Sequence, residues 1–129
     1  MKLYPAVVNR LEAGHDTERA DCAILSLANY LGVGWPEVLR AATLVDREHG
    51  RTGLTIREIK KVAGVFGIPL VRKRRFDPEE AYGVLVTPDH AAVLREGWVQ
   101  DRATVWPWEA WLVDQKVEIS QCSLLVVKE

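Results

Sequence analysis

Cysteine is scarce in this chain: 129 residues hold two thiols, Cys22 and Cys122. They form no CxxC pair and no Cys/His cluster, so neither a zinc site nor a disulfide framework is indicated, and no metal or cofactor is expected. Histidine is almost as rare, with His15, His49 and His90 the complete set. An excess of either charge is missing as well: 17 Lys and Arg stand against 18 Asp and Glu, a formal net charge of -1. No overall field draws this protein toward a polyanion, and nucleic acid is not an expected partner. Long apolar runs are lacking too. None approaches the roughly 18 residues of a membrane span, and Met1-Lys2-Leu3-Tyr4-Pro5 lacks the apolar core of a signal peptide, so no membrane association and a cytoplasmic location are expected. Neither an internal repeat nor a low-complexity linker divides the chain, which reads as one domain over residues 1–129.

What is present is an ordinary globular composition, 48% hydrophobic and 27% charged. A chain of this length buries roughly two thirds of the surface that its unfolded form exposes. The clearest organising segment is Asp21-Cys22-Ala23-Ile24-Leu25-Ser26-Leu27-Ala28-Asn29-Tyr30-Leu31-Gly32. Apolar side chains at 24, 25, 27, 28 and 31 follow helical spacing, Asp21 is a good N-cap, and Gly32 stands where a helix end favours a left-handed residue. That reading makes Cys22 the first helical residue, where free N–H groups and the positive end of the dipole favour a thiolate. A cysteine that merely packs, as alanine would, is the competing reading.

Upstream, a short apolar stretch from Tyr4 to Leu11 leads into a polar loop, Gly14 to Arg19. Downstream, Gly34-Trp35-Pro36-Glu37 opens a second helix, with proline near N1 and an apolar face of Val38, Leu39, Ala42 and Val45 reaching about residue 46. A charged, glycine-containing loop runs from Asp46 to Gly53. Thr55 and Glu58 then form a capping box, with Leu54 and Ile59 placed for a hydrophobic staple. A third helix follows, its face made by Ile56, Ile59, Val62, Ala63 and Phe66, and Gly67 with Pro69 ends it.

Beyond Pro69 the period shortens. Leu70-Val71, Tyr82 to Val86, Ala91 to Leu94, Trp98-Val99 and Ser123 to Val127 read as strands. Asp77-Pro78-Glu79-Glu80 reads as a capped turn, Arg95-Glu96-Gly97 as a hairpin turn, and Trp106 to Trp111 as a helical turn or short helix. Helices first and strands second argue for an α+β domain, with N-terminal helices packed on a C-terminal antiparallel sheet.

A thiol nucleophile needs a base, and the base needs an orienting group. His90 begins a strand after Thr87-Pro88-Asp89, and the hairpin about Glu96-Gly97 returns Asp101 to within a residue or so of it. The order Cys22, His90, Asp101 resembles the C39 (bacteriocin-processing) family of papain-like cysteine peptidases. Asp21-Cys22 at a helix start matches the nucleophile motif, Gly53-Leu54-Thr55 matches the middle segment, and His90-Ala91-Ala92-Val93-Leu94 with Asp101 matches the histidine and acidic positions. The likeness spans about residues 14 to 105. It implies a papain-like fold and hydrolysis of a peptide or related amide bond, with a peptide or protein as substrate. Cys22 is then the nucleophile, His90 the general base and acid, and Asp101 the group that orients the imidazole.

Two departures accompany the likeness. Ala23 stands where the family has glycine, and Asp16 stands where it has the glutamine that donates to the oxyanion. A carboxylate cannot donate that hydrogen bond and repels a developing oxyanion. Asp16 therefore favours a second reading, a catalytically inactive papain-like domain whose cleft binds a peptide or protein partner. Trp106 and Trp108, flanking Pro107, are the tryptophans expected to be more exposed and available to substrate. Trp98 and Trp111 are read with the aromatic core. His15 and His49 are read as solvated, Cys122 as structural, and Arg72-Lys73-Arg74-Arg75 as a charged strand edge that discourages edge pairing.

Overall fold

A computed structural model describes residues 19–45, 55–102 and 104–128. Asp16, His15, His49 and the expected stretches at 4–11 and 46–54 lie outside the described residues. Among the described residues the chain is α+β: three helices, then strands, with a fourth helix inserted before the last strand.

The first helix, α1 (Arg19–Leu31), begins ahead of the expected N-cap. Asp21 is inside it and Cys22 is its fourth residue. The helical signal in Ile24 to Leu31 is set by apolar spacing, which fixes the buried face but not the first turn. The C-terminus is as read: Gly32 is left-handed (φ 72), and the N–H groups of Gly32 and Val33 both reach the Ala28 carbonyl.

Helix α2 (Trp35–Thr43) has Gly34 as N-cap and Pro36 in its first turn. It stops short of residue 46, and Ala41 rather than Leu39 joins Trp35, Val38 and Ala42 on the buried face. Helix α3 (Ile56–Val65) carries the full capping box. Glu58 N donates to Thr55 Oγ1 at 3.1 Å, and Thr55 N donates to Glu58 Oε1 at 2.7 Å.

Six strands form one antiparallel sheet: β1 (Leu70–Lys73), β2 (Tyr82–Val86), β3 (Ala91–Arg95), β4 (Trp98–Asp101), β5 (Thr104–Pro107) and β6 (Ser123–Val127), in the order β1-β6-β2-β3-β4-β5. Asp77 makes the expected turn, its Oδ1 accepting from Glu79 N at 2.9 Å and its carbonyl accepting from Ala81 N. Strand β5 is not marked by period-2 alternation; Trp106 and Pro107, expected to open a helical turn or short helix, are strand residues instead. It is followed directly by α4 (Trp108–Gln115) and a 3-10 turn, Ile119–Gln121.

Strand alternation splits the buried side chains between two cores. On one face Val84, Ala91 and Leu125 pack with Ile24, Leu27, Val38, Ile59 and Val62 of the first three helices. On the other, Leu85, Ala92, Leu94, Val99 and Leu124 pack with Trp111 and Leu112 of α4. Ile24 and Leu27 are fully enclosed, each worth roughly 1.5–3 kcal/mol of burial. Cys22 lies in the first core and Cys122 in the second, both as free thiols, so the sheet separates them. Arg72 and Lys73 are exposed on β1, an edge strand of the sheet. No helix among the described residues is long and apolar enough to cross a membrane.

Candidate active site

His90 is the last residue of the loop between β2 and β3, and that loop is tied at its own ends. Thr87 N donates to the His90 carbonyl at 2.9 Å, Thr87 Oγ1 donates to the same carbonyl at 3.3 Å, and Asp89 N donates to Thr87 Oγ1 at 3.2 Å. The backbone beneath the imidazole is therefore held by the loop's own hydrogen bonds.

The β3–β4 hairpin turns through two residues, Glu96 (φ 45) and Gly97 (φ 88), both left-handed as a primed turn requires. Arg95 pairs with Trp98, Leu94 with Val99 and Val93 with Gln100. Continuing that register sets Asp101 across from Ala92, two residues from His90 rather than directly opposite it. The even offset matters, because residues two apart on a strand share a face. The imidazole spans the diagonal, with Nε2 2.8 Å from both Asp101 Oδ1 and Asp101 Oδ2.

The third residue comes from the other direction. Cys22, on α1 and 7% exposed, is near enough to the His90 side chain to raise its basicity. With Nε2 committed to the carboxylate, Nδ1 is the ring nitrogen left for the sulfur. Cys22, His90 and Asp101 are thus brought together from a helix, a loop and a strand end.

Trp111, expected only to fill core, also belongs here. It is fully buried on α4, and its Nε1 donates to Asp101 Oδ2 at 3.0 Å. Its ring lies alongside His90, centroids 6.2 Å apart and planes 29° apart. No sequence signal pairs residue 111 with residue 101, because the contact depends on how α4 folds back across β4.

Charge follows geometry. Burial acts to lower the basicity of His90, but the hydrogen bonds and charges of Asp101 and Cys22 outweigh it and push the imidazole up to about 9. Burial acts to raise Asp101, and the hydrogen bond and charge of His90, the Trp111 N–H and the Arg102 guanidinium together hold its carboxyl below the ordinary value. An imidazolium facing a carboxylate is the resting form at neutral pH. Cys122 offers the contrast: burial pushes its thiol up, and its Sγ donates to the Glu118 carbonyl at 3.5 Å.

Trp106 and Trp108 lie apart from this trio. Trp106 pairs with Val99, and Trp108 follows Pro107, the partner of Trp98, toward the end of the β4–β5 hairpin away from Asp101. Both are half-buried against the second core, and Trp108 Nε1 donates to Glu79 Oε1 at 2.8 Å. The most exposed tryptophan of the segment is Trp98, at 43%. A groove of about 680 Å³, lined by Tyr30, Val71, Lys73, Phe76, Leu124 and Val126 among others, includes none of the trio. It gathers no nucleophile and base. Among the described residues no group of three or more His, Cys, Asp or Glu side chains is arranged to hold a metal ion.

Comparison of the chain with protein-family models, with curated proteins and with solved structures gives no match in any of the three.

Proposed function

We propose that the chain is a papain-like cysteine hydrolase that cleaves a peptide or related amide bond through Cys22, His90 and Asp101. The observation that carries this reading is one imidazole held by a carboxylate at 2.8 Å and raised in basicity by both that carboxylate and Cys22. That relay supports nucleophilic acyl transfer, and simple packing of a cysteine has no use for it.

The chemistry balances on these residues alone. The Cys22 sulfur lone pair attacks the amide carbon, and the imidazolium of His90 gives its proton to the departing amine nitrogen as the C–N bond breaks. An acyl-thioester remains on Cys22. Water then attacks, His90 takes its proton, and the carboxylic acid leaves as the thiolate and imidazolium are restored. Asp101 stays ionised throughout, holding the ring by Nε2 and stabilising its charged form.

Asp16, in the position that the family resemblance gives to the oxyanion donor, supports a second reading: the same fold used to bind a peptide or protein partner without turnover. Alkylation with iodoacetamide tests the first. Cys22 reacts faster than Cys122 at neutral pH, and His90→Ala abolishes the difference. Equal rates and equal pH profiles for the two thiols would overturn the proposal. Asp16→Gln separates the two readings, since a peptidase activity that appears only in that variant assigns the wild type to binding.

A further inference from the structure

Outside the trio, the least expected side chains of the core are two buried amides. Asn29 and Gln100 are each 2% exposed, and Asn29 Nδ2 donates to Gln100 Oε1 across 2.8 Å. Gln100 Nε2 donates in turn to the main-chain carbonyl of Arg102 at 3.2 Å. Asn29 Oδ1 is buried with no hydrogen-bond partner among the described residues. An orphaned buried oxygen is costly, and an apolar pair of the same shape would fill this space without one. Core stability gives no reason for these two residues to be here.

Their placement does. Cys22, Ser26 and Asn29 lie at i, i+4 and i+7 on α1 and so share a face, with Asn29 two turns, about 10 Å, from Cys22. On β4, Gln100 and Asp101 are consecutive, so their side chains leave opposite faces of the sheet. Gln100 meets α1, while Asp101 meets His90 and Trp111. Arg102, the next residue, is left-handed (φ 56) at the start of the tight connection to β5. Gln100 is itself the residue before Asp101; its Nε2 holds the carbonyl of the residue after, Arg102, and its Oε1 accepts from Asn29 on α1, from the face that Asp101 does not use.

We propose that Asn29 and Gln100 are a positioning pair that ties the helix carrying Cys22 to the turn carrying Asp101, and so holds thiol, imidazole and carboxylate in register. The proposal rests on the reading of those three residues as one site; neither amide touches the reacting atoms. One element, α1, then controls both ends of the relay, by Cys22 at its start and by Asn29 near its end.

The test is the His90 imidazole titration, followed by NMR on the full chain, in Gln100→Met, Asn29→Leu and the double variant, with iodoacetamide alkylation of Cys22 in parallel. Each single substitution is expected to lower the His90 midpoint by about one pH unit and to slow Cys22 alkylation on the order of tenfold. The double variant is expected to do no more than either single, as coupled partners require. An unchanged midpoint in folded variants, or effects that add, would overturn the pair. If the apolar variants do not fold, Gln100→Asn, one methylene shorter and still an amide, is expected to lower the midpoint in the same direction, and no shift there overturns the proposal equally. A wild-type midpoint near 6.5 overturns both this proposal and the relay beneath it. A wild-type midpoint near 9 with Cys22 no faster than Cys122 overturns the hydrolase reading alone, and the variant midpoints then still decide the pair.

Discussion

Asp101→Asn removes one charge from the relay and leaves its shape intact, which makes it the sharpest perturbation of the site. Asparagine keeps an oxygen that can accept from His90 Nε2, but not the charge that holds the imidazolium. His90 is 19% exposed at its side chain and Asp101 15%, so solvent screens this pair only partly. The rise of His90 from 6.5 to about 9 corresponds to about 3 kcal/mol in favour of the imidazolium in the folded state. A folded-state pKa above the unfolded one stabilises in full below pH 6.5, and that contribution is lost as pH rises through about 9. In Asp101→Asn the burial that lowers His90 remains while the main opposing charge is gone. The midpoint is then expected at 6.5 or below. NMR titration of the ring reads it directly, and urea unfolding at pH 6 and pH 9 reads the same free energy independently. The wild type should lose about 3 kcal/mol between those pH values from this group, and the variant should lose none. A wild-type midpoint near 6.5, or a variant midpoint still near 9, would refute the reasoning.

Three further substitutions probe the frame. Trp111→Phe removes the N–H that Asp101 Oδ2 accepts; because Asp101 lies below its ordinary value and stabilises above pH 3.8, the acid limb of unfolding should move to higher pH, with about 1 kcal/mol lost at neutral pH for the hydrogen bond. Thr55→Ala breaks the capping box of α3 and should cost about 1 kcal/mol in denaturant unfolding without moving the His90 midpoint; a changed midpoint would tie α3 to the site. Gly83→Ala places a Cβ 2.5 Å from the Leu125 carbonyl and against Leu124 and Val126, so the β2–β6 pairing must yield, at about 1–3 kcal/mol by thermal unfolding.

Much of this protein is legible wherever the signal is local. The capping box at Thr55 and Glu58, the left-handed Gly32 and Gly67, the turn at Asp77, and the limits of β2 and β6 are set by residues within a few positions of one another. They are found where the sequence puts them. The start of α1 is less legible, since a helix extends as far as its first turn finds partners and Asp21 suits more than one position there. Strand β5 carries no alternation of its own; it exists because β4 offers an open edge to pair with. The candidate site divides in the same way. Cys22, His90 and Asp101 could be nominated as chemical types in a suitable order, and the hairpin about Glu96 and Gly97 fixes that His90 and Asp101 are near neighbours.

Sequence by itself therefore determined the α+β order of elements and, as short apolar runs bounded by turns, the places of β2, β3 and β6. Tertiary structure alone decided that Trp111 closes over Asp101, that Asn29 reaches Gln100, and that Trp98 stands more exposed than Trp106 or Trp108. Those contacts join residues 10 to 71 positions apart or depend on which helix covers which strand. Local propensity is blind to them because their free energy appears only when the two faces of the sheet are covered.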